Sequence, residues 1–269
     1  MKEYIISAPA PRIIGRVNWV GFYSLYLKEV KRFINVGVQT VAAPVITTLL
    51  FLAIFSLALG KAVQMVGGVP FIHFLAPGLI VMTMSQNAFA NTSSSMVISK
   101  VQGNIVDVLM PPISPIEFVM AYALAGTTRG LLVGLVSYIG IAIFVAVPVD
   151  NIWVIFLFGF LSSMMLSLLG LVSGIWSDKF DHMAAITNFI ITPFSFLSGT
   201  FYMIQQLPEP FYTIAHYNPF FYMIDSFRGG FLGFTESPAS RAFMILTMVN
   251  IGLILLAWIL VKRGYKLKS

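Results

Sequence analysis

The side chains able to do chemistry are few and scattered. There is no cysteine, so neither a disulfide nor a thiolate metal site can form. The three histidines, His73, His182 and His216, fall in separate predicted loops or helix ends. Asp178, Asp181 and His182 form the densest polar set, beside Lys179 in a short predicted loop where solvated charges are the ordinary occupants. A zinc site would need three or four converging ligands, and this set does not make that case. A phosphate-cradling loop reads G-x-x-x-x-G-K-[ST]. Gly60-Lys61 is followed by Ala62 and lacks the upstream glycine, while Leu197-Ser198-Gly199 shares only letters with a nucleotide-binding signature. The chain is therefore not expected to be an enzyme or to bind a cofactor or metal. Any ATP and magnesium would sit on another chain.

The remaining polar residues lie in apolar surroundings. Hydrophobic residues make up 58% of the 269 residues, charged ones 10%, and mean hydropathy is +0.89. Soluble domains carry about 25% charged residues, and a soluble fold of this length could not hide so much apolar surface. Lipid is the expected solvent. The net charge of +6 is then explained by where the cations sit, and no nucleic-acid partner is expected.

A crossing needs about 20 mostly apolar residues. Six stretches qualify, at 37–60, 74–97, 118–147, 152–176, 184–204 and 242–261. A seventh candidate, 205–233, holds Pro208, Glu209, Pro210, His216, Asn218, Pro219, Asp225 and Arg228. Broken backbone and charge in lipid are costly, so this stretch is read as short helices that dip into or lie on the outer interface. Lys2, Arg12, Arg16, Lys28, Lys31, Arg32, Lys100, Lys179, Lys262, Arg263, Lys266 and Lys268 fall on one side; Lys61, Arg228 and Arg241 fall on the other. The positive-inside rule makes both termini cytoplasmic. The N-terminus lacks the order of a cleaved signal peptide. The chain thus divides into a tail and interfacial helix, 1–35, and a transmembrane domain, 36–265.

Within this frame the polar residues acquire meanings. Residues 12–35 interleave aromatic and basic groups at helical spacing, as an amphipathic helix on an anionic leaflet does; membrane lipid is one expected partner and a cytoplasmic protein the alternative. Ser85, Gln86, Asn87, Asn91 and Thr92 to Ser95 in the second crossing must face other helices or a polar path. Arg129 reads as an interfacial anchor or as a charge in that path. Gly126/Gly130/Gly134 and Gly170/Gly174 permit close helix packing. Gln102 to Met110 can form a short helix stopped by Pro111 and Pro112.

Four segments then carry a family resemblance. They are Glu29-Val-Lys-Arg-Phe with Gln39-Thr-Val-Ala-Ala-Pro-Val-Ile-Thr; Phe74-Leu-Ala-Pro-Gly-Leu-Ile; Asn104-Ile-Val-Asp-Val-Leu-Met-Pro-Pro-Ile-Ser-Pro; and Thr192-Pro-Phe-Ser-Phe-Leu-Ser-Gly-Thr-Phe-Tyr with Leu207-Pro and Asn218-Pro-Phe-Phe-Tyr-Met-Ile-Asp-Ser-Phe-Arg. In this order they resemble the membrane subunit of type-2 ATP-binding-cassette exporters, the ABC-2 permeases, and in particular a bacterial inner-membrane transport permease subgroup of unassigned substrate. The resemblance implies an all-α polytopic membrane protein with six transmembrane helices. An N-terminal interfacial amphipathic helix, a cytoplasmic coupling helix and short outer re-entrant helices complete the expected fold. It implies a permease of an ATP-driven transporter in the bacterial inner membrane, exporting a lipid-like, polysaccharide or amphipathic cargo. A separate nucleotide-binding subunit would power it, with a second copy or a paralogous permease as partner. Gln102, Asn104, Asp107, Met110 and Glu29 would contact that subunit. Ser85, Asn87 and Asn91, with Phe194, Phe196, Phe201 and Tyr202 near an outer gate, are the path candidates. An ion-coupled secondary transporter and a structural membrane protein are the alternatives; the first would want carboxylates within the crossings.

Overall fold

The computed structural model describes residues 15–60 and 63–267. Residues 1–14, with Lys2 and Arg12, lie outside the described residues, as do Lys61 and Lys268. The regular elements of the described chain are helices, apart from one short hairpin of two-residue strands, Met65–Val66 with Val69–Pro70, turned by Gly67 and Gly68 at positive φ.

Helix α1 (Trp19–Ile34) begins at Asn18, whose side chain accepts from Gly21 N at 2.9 Å. Leu25, Glu29 and Phe33, four residues apart on one face, are buried, while Trp19, Val20 and Tyr23 stay exposed. The first crossing starts with a π-helical turn, Val38–Ala42, and continues as α2 (Ala43–Leu59). Pro44 stands at the start of α2. A proline cannot donate to the ladder and its ring crowds the carbonyl four residues back, a conflict that a widened turn relieves. The same device recurs in the fifth crossing. There α7 (Phe180–Ile186) runs into a second π turn, Thr187–Ile191, and α8 (Thr192–Leu197) opens with Pro193.

Helix α3 (Phe71–Val101) is the axis of the molecule. Its 31 residues extend about 46 Å, and it packs on α5 (Pro115–Ala142), α6 (Ile152–Trp176) and α10 (Pro219–Leu232). Small residues make the approach close. A Cβ on Gly126 or Gly170 would strike Thr92, and one on Gly130 would come within 2.9 Å of the Met84 carbonyl. Two short helices, α4 (Ile105–Leu109) and α9 (Phe211–Tyr217), flank the bundle, and α11 (Ala239–Lys262) is the last long element.

The first, third, fourth and sixth predicted crossings are long and apolar enough to span by themselves. The second, α3, carries too many polar groups for that, because neighbouring helices rather than lipid surround it. The fifth is the α7–α8 stack, which ends at Leu197 where 204 is expected; Gly199 at positive φ turns the chain there. The third also ends early, at Ala142, and the chain turns there and runs on without helix through Pro148. Its predicted lead-in, 118–128, is continuous helix. As the charges require, α10 does not span, being 14 residues long. It is more deeply buried than an interfacial helix, with every residue from Phe220 to Phe231 covered.

Candidate functional site

Polar residues gather in two connected places. The first is a groove of about 600 Å³ at the end of the molecule where α1, the end of α3 and α4 meet. A capping box opens α5: Ser114 N donates to Glu117 Oε2 at 2.8 Å and Glu117 N to Ser114 Oγ at 3.4 Å. The other carboxylate oxygen of Glu117 accepts from Asn18 N at 2.8 Å. One residue thereby sets the starts of α1 and α5 together. Asn18 Nδ2 also donates to Pro112 O at 3.0 Å, which ties the α4 loop to α1. Ile105 and Val108 of α4 are buried in the same apolar cluster as Leu25. Gln102, Asn104 and Asp107 are left on the rim, and Met110 is 76% exposed.

Glu29 departs from its expected role. Its side chain is fully buried, accepting from Ser95 Oγ at 2.6 Å and from Arg32 Nε at 3.0 Å. It floors the groove and offers nothing to a partner's surface. Arg32 continues inward, donating through Nη2 to the carbonyl of Asn91 at 2.7 Å and its Oδ1 at 2.9 Å. Beside the groove, Asp178 accepts from Lys266 at 2.7 Å and Lys100 at 3.4 Å. These ammonium groups, Lys266 first, hold its carboxyl below the ordinary carboxylate value.

The second place is a crevice of about 430 Å³ between α2, α3 and the end of α8. Gln39, Thr47, Thr83, Gln86 and Asn87 supply its polar wall, and Phe51, Phe196 and Phe201 its aromatic one. Phe201 packs on Phe196 and Phe55 with ring centroids 5.5 and 4.5 Å apart. Asn87 donates to Thr83 O at 3.0 Å and accepts from Arg129 Nη2 at 3.0 Å. Arg129 is therefore no headgroup anchor on an exposed face: it is 9% exposed and bound to α3.

The structure thus joins Asn87, Phe196 and Phe201 in one crevice and leaves other candidates apart. Ser85 faces α10 and donates to Met223 Sδ at 3.3 Å. Asn91 is buried beneath Arg32. Phe194 packs toward Phe220 at 6.2 Å, and Tyr202 donates to the carbonyl of Phe196 at 3.1 Å. Sequence reading missed Arg32, half-buried and reaching in to Asn91, and Gln39, an exposed residue of the crevice wall; Gln39, in the π turn before Pro44, had a local signal in that proline.

The comparisons with known proteins fit this architecture. The family profile described as ABC-2 type transporter matches residues 20–232, from α1 through α10. The chain belongs to this family. It is similar to the inner membrane transport permease YadH of Escherichia coli strain K12, with 35% identity over 93% of this chain and 98% of the relative. More distantly it resembles nodulation protein J of Rhizobium leguminosarum bv. viciae, 28% identical over 81% of this chain and 84% of that one. A further relative, nodulation protein J of Rhizobium meliloti strain 1021, is 22% identical over 86% of each. As an ABC-2 permease the chain is a multi-pass inner-membrane transport subunit, of a family that works with an ATP-binding subunit.

Proposed function

We propose that this permease is the membrane half of an ATP-driven exporter, with both termini cytoplasmic, and that α4 is the element through which a separate nucleotide-binding subunit drives it. Two copies, or one copy and a paralogous permease, pair with two such subunits. The cargo is lipid-like, amphipathic or saccharide, moving along the crevice between the first, second and fifth crossings.

The observation that carries this reading is the construction of α4. Its apolar side is fastened to α1, and its other side presents Gln102, Asn104, Asp107 and Met110. Its seat, α1, is bonded to α3 through Glu29, Arg32, Asn91 and Ser95. Force on α4 therefore reaches the helix that lines the crevice. A nucleotide acts on the membrane half only if the partner contacts differ between its two states, and α4 is where those contacts fall.

The test is co-purification of the parent chain and of Asp107→Arg with a co-expressed ATP-binding-cassette subunit from the same genome. Pairing lost in the variant and in a deletion of 102–110, with insertion into the membrane retained, is the expected result. Unchanged pairing after that deletion would remove α4 from the mechanism.

A further inference from the structure

Arg129 is a buried cation whose countercharge is missing. Among the described residues no carboxylate lies within ion-pair distance of it, whereas Arg32 has Glu29. Its Nη2 donates to Asn87 Oδ1, but its Nε is buried with no acceptor, and so is the Nδ2 of Asn91, one turn along the same helix. Buried guanidinium groups are expected to be paired and fully hydrogen-bonded. The amide that Arg129 holds, Asn87, lines the crevice, and the crevice wall contains no Asp or Glu to cancel the field.

Depth narrows the ligand. Arg129 lies 14 residues into α5, about 21 Å from its basic end. Asn87 lies the same distance from the basic end of α3, one turn beyond the Asn91 that Arg32 of the interfacial helix grips. Both positions are midway along their helices, 14 residues into the 28 of α5 and 16 into the 31 of α3, where a charged head must be sheltered by protein groups rather than by lipid. The crevice mouth carries amides and hydroxyls beside the aromatic rings of Phe196 and Phe201, a combination suited to a polar head on an apolar body.

We propose that the crevice at Gln86 and Asn87 binds a phosphate-bearing ligand, with Arg129 behind it as the fixed positive charge. This rests on the export reading and narrows its cargo to an anion. The shared chemistry is a phosphate group, on a lipid or free in solution. Arg129 attracts the anion, Gln86 and Asn87 orient it, and the phenylalanines exclude water from one side.

The test needs neither ATP nor the partner subunit, so its outcome is separate from the co-purification experiment. The full chain in neutral detergent is titrated with a fluorescent short-chain phosphatidic acid, with the matching diacylglycerol as uncharged control. Gln86→Glu, which places a carboxylate in the crevice at a half-exposed position with no bonded partner, is expected to weaken the phosphatidic acid by about tenfold or more. Arg129→Met should do the same, and Arg129→Lys should retain most of the affinity because the charge survives. Competition by inorganic phosphate at similar concentration would identify a soluble phosphate ligand; its failure to compete would identify an amphiphile, and either supports an anion site. Equal binding of the diacylglycerol, or an unaltered affinity in Gln86→Glu, would overturn the proposal even if the Arg129 variants fail to fold.

Discussion

Individual charged residues in this permease act as internal fasteners. Glu29 and Arg32 join α1 to α3, and Arg32 supplies the countercharge that the fully buried Glu29 needs. Glu29→Gln leaves the shape but weakens the bond from Arg32, and a hydrogen bond to a charged partner contributes about 2 kcal/mol. Denaturant unfolding in detergent should show a loss of that size; a variant as stable as the parent would mean that α1 is held by its apolar face alone. Arg228 performs the opposite-end counterpart. It is buried, donates to the carbonyls of Phe74, Gly199 and Thr200 at 3.1, 2.7 and 3.2 Å, and stacks 3.7 Å over the Phe74 ring. It joins the first turn of α3, just before Pro77, to the chain leaving α8. A lysine carries the charge but not the planar fork. Arg228→Lys is accordingly expected to speed amide hydrogen exchange at 199–204 while leaving the basic end unaffected.

At the scale of elements, close packing and tail docking make separate demands. A Cβ on Gly170 would collide with Thr92 and with the Phe89 carbonyl, and backbone cannot step aside as a flexible side chain can. Gly170→Ala should therefore cost about 1–3 kcal/mol by overpacking, read as earlier aggregation on heating in detergent. The tail after α11 is held by Asp178 and Lys266. The carboxyl is held down and the ammonium, by its bond to Asp178, is pushed up. A lowered acid contributes its stability above the ordinary value of 3.8 and loses it as pH falls through the folded value; a raised base contributes below 10.5 and loses it as pH rises through its folded value. The tether should hold across neutral pH and release in acid. With the other tryptophans replaced by phenylalanine, Trp176, which Lys266 approaches at 5.5 Å, should report that release, and Asp178→Asn should show the acid spectrum at pH 7. Much of this architecture was legible in the sequence because the lipid constraint is severe. Long apolar runs, the distribution of Lys and Arg, and the prolines after 110 marked the crossings and α4. What escaped were properties of pairing: no local pattern says that Glu29 turns toward Ser95, or that Arg129 finds Asn87 42 positions away. The depth of α10 escaped for the same reason, since its charges read as solvated until Arg228 is seen among carbonyls.

The whole molecule is organised around one rod. Helix α3 begins beside the hairpin, lines the crevice at Thr83, Gln86 and Asn87, takes hold of α1 at Asn91 and Ser95, and ends at Gln102 on the rim of the groove. If α4 is the driven element, its displacement reaches the crevice by moving this rod with α1 rather than through a chain of independent contacts. Such a claim needs a two-state element biased at both ends, and the absence of native cysteine makes it testable with one introduced probe. A Gln86→Cys chain paired with its nucleotide-binding subunit should react with a small maleimide at a rate that changes when nucleotide is added. Ala90→Pro, between the crevice and the α1 contact, removes a ladder bond and crowds the carbonyl of residue 86, a break of about 3 kcal/mol in a helix interior. The nucleotide-binding subunit should still co-purify, since α4 is untouched, while the nucleotide dependence of labelling disappears; Ala90→Ser should behave as the parent. A response that persists in the proline variant would place the coupling in another element, with α5, which Glu117 bonds directly to the start of α1, the next to be broken.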